Sequence, residues 1–160
     1  MKKTIIITLI LTLTLGLLAG CGGSRQKADL SNPWVDYPSL KEAEEAVGFP
    51  LSVPLKVSHY QAETYRVCGG KLLEVTYRDG DSLVTVRKQK GEGLDLSGSN
   101  LPYKNVVTIE ADFWDNTVKT AGDAMLNLIS GEGFSYSLDA PTGYVGDANR
   151  HFISSICVEP

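Results

Sequence analysis

The order of apolar and polar positions divides this chain before any single residue does. Lys2 and Lys3 lead into an apolar run of about 15 residues that closes on Leu18-Ala19-Gly20-Cys21. A spanning helix needs about 20 such residues, so the run reads as an export signal over residues 1–20. Residues 21–31, rich in small and polar side chains, carry one isolated leucine and read as a flexible tether. From Asn32-Pro33-Trp34 onward the pattern belongs to a folded domain over 32–160.

Within that domain the periods alternate between helix and strand. Ser39 followed by Glu42 is a capping-box pair, Leu40, Ala43 and Val47 share one face, and Gly48 stops the run, which predicts a helix over Leu40–Val47. Pro50 and Pro54 keep the next residues extended. A strand is expected over His59–Val67, with a reversal at Cys68-Gly69-Gly70. Leu73, Val75 and Tyr77 then alternate with Glu74, Thr76 and Arg78, and Asp79-Gly80 turns the chain into a return strand, Ser82–Lys88.

Gln89–Leu101 holds three glycines and reads as a surface loop. Val107, Ile109, Ala111 and Phe113 alternate as a half-buried strand, with Asp115-Asn116 expected to turn. Thr117–Thr120 reads as a short strand, Ala124–Ile129 as a strand or a helix, and Gly131-Glu132-Gly133 as a hairpin into Phe134, Tyr136 and Leu138. The last element changes period: Val145, Ala148, Phe152 and Ile156 recur at helical spacing, with Thr142 as a candidate cap. The expected class is α+β, an antiparallel meander with a short N-terminal helix and a C-terminal helix packed on one face.

Two resemblances add to this reading. The Leu18-Ala19-Gly20-Cys21 tetrad resembles the lipobox of bacterial lipoproteins. That resemblance implies cleavage between Gly20 and Cys21, a diacylglyceryl thioether on Cys21, and a protein anchored on the outer face of the cell membrane. The alternative is an ordinary secretory signal cut after Ala19 or Gly20. The segment Val47-Gly48-Phe49-Pro50-Leu51-Ser52-Val53-Pro54, the meander, Phe134-Ser135-Tyr136-Ser137-Leu138 and Ile153-Ser154-Ser155-Ile156 together resemble an uncharacterised extracytoplasmic domain family of Gram-positive lipoproteins and anti-sigma-like membrane proteins. It implies sensing or binding and supplies no catalytic residues.

Charge and cysteine count narrow the partners. Removing Lys2 and Lys3 from the 15 basic residues leaves 13 against 19 acidic ones. Such a surface argues against nucleic acid, and with no polybasic cluster after Cys21 the lipid alone is expected to hold the protein on its membrane. Lipidation of Cys21 leaves Cys68 and Cys157 as an even pair in an oxidising compartment, a candidate disulfide whose alternative is two buried thiols.

A search for reaction chemistry finds little. His59 and His151 stand alone, no nucleophile or zinc motif is present, and no cofactor motif appears. Asp112, Asp115, Asn116 and Asp123 are the densest oxygen-ligand segment, but their spacing is wrong for an EF-hand and a solvated turn accounts for them, so no metal site is assigned. Trp114 is the candidate ligand contact: if Phe113 enters the core, its neighbour leans outward unless a bulge intervenes. The expected function is therefore a non-catalytic binding or interaction domain on a lipid anchor, facing an envelope protein. The alternatives are a carrier or sensor of a small apolar ligand held between sheet and helix, and an envelope-polymer hydrolase.

Overall fold

A computed structural model describes residues 33–110, 114–141 and 146–157. The chain divides into Met1–Ser31 and Asn32–Pro160, and every described residue lies in the second unit. The signal, Gly20, Cys21, the tether, Phe113 and Thr142 therefore lie outside the described residues.

The strands are β1 (Trp34–Tyr37), β2 (Lys56–Val57), β3 (Tyr60–Cys68), β4 (Leu72–Asp79), β5 (Ser82–Lys90), β6 (Asn105–Glu110), β7 (Asp115–Ala121), β8 (Ala124–Gly131) and β9 (Phe134–Ala140). Among the described residues two helices, α1 (Leu40–Val47) and α2 (Gly146–Cys157), complete the order. Among the described residues all nine strands form one antiparallel sheet, ordered β1-β3-β4-β5-β9-β8-β7-β6, with β2 pairing β3 beyond the end of β1. The architecture is α+β with a meandering sheet, as the periods predict. It consists of two meanders, β3-β4-β5 and β6-β7-β8-β9, fused where β5 pairs β9.

Local chemistry explains the elements. Ser39 caps α1: its hydroxyl accepts from the Glu42 amide at 3.3 Å and donates to the Glu42 carboxylate. Gly48 ends the helix in the left-handed region, φ 75°, and its amide closes on Glu44. Glu132 and Gly133 both have positive φ, 53° and 81°, which lets a two-residue turn join β8 to β9 with the twist the strands require. A bulge at Glu63 breaks the register of β3 against β4, and β3 presents one half of its edge to β1 and the other to β2.

One face of the sheet carries the apolar core. Val67, Leu73, Val75, Tyr77, Val84, Val86, Tyr136 and Leu138 are buried there beneath α1, α2 and the segment Phe49–Val57. Ala43 of α1 and Phe152 of α2 are the inward residues, and the Phe152 ring meets Tyr77 edge-on at 4.7 Å. Tyr77 donates its hydroxyl to the Pro54 carbonyl at 2.8 Å, and burial beside Tyr65 raises its pKa. Lys88 also points into this face: its amine donates to the Pro50 carbonyl at 2.6 Å and sits over the rings of Phe134 and Tyr136.

The structure corrects several sequence expectations. His59 lies in the β2–β3 turn rather than on a strand, next to Ser58 at φ 54°. Asp115-Asn116 do not turn the chain but open β7, paired with Ser130 and Ile129 on β8. Of the two readings left open for Ala124–Ile129, the strand is the one observed. The strand at 107 is not half-buried, because β6 is the outer edge of the sheet and both Val106 and Val107 are exposed.

Candidate functional site

The chemistry collects on the sheet face opposite the helices. Register places Asp36, Arg66, Glu74, Arg87, Ser137, Leu128, Thr117 and Thr108 in one row across eight strands. Glu74 is buried at its centre and both its oxygens are used. Oε1 accepts from Arg66, and Oε2 accepts from Arg87 Nε at 2.7 Å. The Arg66 guanidinium also stacks over Trp34, 4.8 Å from the ring centre. A carboxylate this deep is tolerated because two cations and their hydrogen bonds replace its water.

The glycine-rich stretch 91–104 crosses this polar face and connects β5 to β6. Ser130 and Ser135, opposite each other on β8 and β9, fasten its start. Ser135 donates to the Gly91 carbonyl at 2.7 Å and accepts from the Leu94 amide, while Ser130 accepts from the Gly93 amide at 2.9 Å. Further along, the carbonyls of Leu96 and Ser97 accept from Arg87. Asp95 accepts from the Ser97 amide and hydroxyl, at 3.0 and 2.6 Å, and from Lys119 at 3.3 Å. The Ser99 hydroxyl meets the Tyr103 hydroxyl at 3.1 Å, and the Lys104 amide returns to β7 at the Thr120 carbonyl. The stretch is thus a strap fixed at both ends and in the middle.

Beside the strap lies a groove of about 460 Å³, lined by Leu94 and Asp95 from the strap and by Thr108, Thr117, Lys119 and Leu128 from the strands. Two carboxylates near the strap shift in opposite directions. Burial alone raises the Asp95 carboxyl, but the Ser97 hydrogen bonds and Lys119 reverse this and hold it below the ordinary range. Asp139 goes the other way: burial raises it, Asp95 adds to the rise, and Arg87 opposes it. Its Oδ1 has no hydrogen-bond partner among the described residues. Burial and the same two carboxylates raise Tyr103, against the Ser99 hydrogen bond.

Of the residues singled out by sequence, Asp115 lines this groove, and the other described ones are elsewhere. Trp114 does not lean outward: its indole packs half-buried on the core, 5.6 Å from the Tyr136 ring. Cys68 is a free, half-buried thiol ending β3, and the side chain of Cys157 lies outside the described residues. His59 and His151 are both exposed, and the described residues contain no group of three His, Cys, Asp or Glu able to hold a metal. Asp115 and Asn116, adjacent on β7, point to opposite faces, and Asp123 sits at the far end of that strand. No described helix is long and apolar enough to cross a membrane.

Sequence reasoning passed over Asp95, Lys119, Glu74 and Asp139, because each looked like an ordinary polar position. One available signal was Glu74 between Thr76 and Leu72 on a strand with Arg66 and Arg87 on its neighbours. Comparison with known proteins adds no name: no family model, curated protein or solved structure matches this chain.

Proposed function

We propose that this chain is a membrane-anchored extracytoplasmic lipoprotein whose folded domain binds a partner without chemistry, through the strapped groove on its polar face. The observation that supports this reading is the strap itself. Its hydrogen bonds to Ser130, Ser135, Arg87 and Lys119 preorganise a groove that offers hydroxyls, one ion pair, the Asp115 carboxylate and two leucines. A preformed surface avoids the ordering cost of binding. An extended segment, such as an envelope protein's, suits an open groove in which Leu94, Leu128 and Ile129 alternate with these polar groups. The space under the helices is occupied by Tyr77, Phe152 and Tyr136.

The reading is non-catalytic. Asp95 is engaged by Ser97 and Lys119, Glu74 by two arginines, and neither has a histidine beside it among the described contacts. The anchor is tested by labelling cells with a fatty acid: the wild-type chain is expected to carry label, and Cys21→Ser to lose it. Label retained by that variant contradicts the anchor. The groove is tested by Thr117→Trp, which fills it from a partly exposed position. Co-purification of an envelope partner is expected to fail in this variant with an unchanged melting temperature. Retained co-purification contradicts the site.

A further inference from the structure

The two ends of the groove differ in charge. Asp115, Thr117 and Lys119 alternate on one face of β7, which sets the first and last about 13 Å apart along the strand. Lys119 is committed to Asp95, and Asp95 is held by the Ser97 amide and hydroxyl as well. Asp115 at the other end is exposed and makes no hydrogen bond or ion pair with any described residue. Around it the charge has one sign. Its partner on β8 is Ser130, which holds the Gly93 amide; Glu92, beside Gly93, accepts from the Gly133 amide at 2.7 Å, and Glu132 stands in the same turn. Lys90, which ends β5 nearby, serves the opposite face of the sheet, its amine 5.9 Å from the centre of the Phe49 ring. Between the ends the lining is apolar, with Leu94 of the strap 38% exposed and Leu128 half-buried opposite Thr117.

We propose that the segment this groove takes is basic, with a lysine or arginine side chain laid along Leu94 and Leu128 and its cationic head on Asp115. The inference rests on the groove being the partner site and names what the partner presents there. A long cationic side chain satisfies both surfaces at once: its methylenes cover the leucines while its head meets the unengaged carboxylate. An acidic segment meets Asp115 as a like charge and finds Lys119 already taken. A neutral apolar segment strips water from Asp115 and returns no hydrogen bond.

Selection of short random displayed peptides on the immobilised full-length protein, in neutral detergent at low salt, tests the charge. Only binders that Thr117→Trp abolishes are kept, so that each depends on the groove. These are expected to carry lysine or arginine at one fixed position. Asp115→Asn should weaken the best of them about fivefold, whereas Asp81→Asn, which removes the same charge in the β4–β5 turn, should leave them unchanged. Asp115→Lys should select aspartate or glutamate at that position instead. Both Asp115 variants alter an exposed side chain and should melt with wild type. Groove-dependent binders without a basic residue, or basic binders weakened equally by both asparagine variants, overturn the inference and leave the groove reading standing. Finding no binder that Thr117→Trp abolishes overturns both.

Discussion

At the residue scale, buried charge sets the character of the polar face. Glu74 keeps two guanidiniums in place, and one of them holds the strap, so its replacement acts at a distance. Glu74→Gln should destabilise the domain by about 1.5–3 kcal/mol, read by urea denaturation, because it weakens the charge-assisted hydrogen bonds that hold two partly exposed guanidiniums. Asp139 predicts the opposite sign. Its carboxyl is raised in the folded state, so the folded state binds its proton more tightly than the unfolded state, and stability falls as pH rises from the unfolded value through the folded one. Asp139→Asn should therefore melt higher than wild type at neutral pH, with the gap closing as pH falls; thermal scans across that range check it. Asp95 is lowered, so its contribution is present above the unfolded value and is lost on further acidification.

The scale of elements shows where sequence was legible. α1 was readable because its cap, stripe and stop are all local: Ser39, Ala43 and Gly48 do what their positions imply. Ser39→Ala should cost about 1 kcal/mol of stability, measured by chemical denaturation. The hairpins at Asp79-Gly80 and Glu132-Gly133 were readable for the same reason. Asp115-Asn116 misled because turn-forming residues sit in a strand whose partner, β8, is not visible locally. The β5–β9 pairing and the crossing of 91–104 were not legible at all, since both depend on contacts between distant parts of the chain, such as Ser135 with Gly91, 44 residues apart. Glycines and serines that look like slack are the strap's fastening. Ser135→Ala should loosen it, seen as faster amide exchange at Leu94, while the core amide of Val75 stays protected.

For the whole molecule, the division of labour is between two faces. One face is closed by helices and aromatic packing, and truncating Phe152, its fully buried α2 anchor, should cost about 3–5 kcal/mol by calorimetry. The other face is polar, strapped and open at the groove, which is where a tethered domain with little reaction chemistry is proposed to meet its partner. Trp114, the aromatic that sequence offered for contact, instead completes the closed face against Tyr136. In the proposed reading, a lipid on Cys21 holds an acidic protein at its membrane, and the groove is what the anchor positions. The most direct test places a photo-crosslinking amino acid at Thr117 in the groove, and separately at Asp81 in the β4–β5 turn, in the full-length protein in growing cells. A discrete envelope adduct from position 117 and none from 81 is the predicted result; no adduct at 117, or the same adduct at both positions, contradicts it.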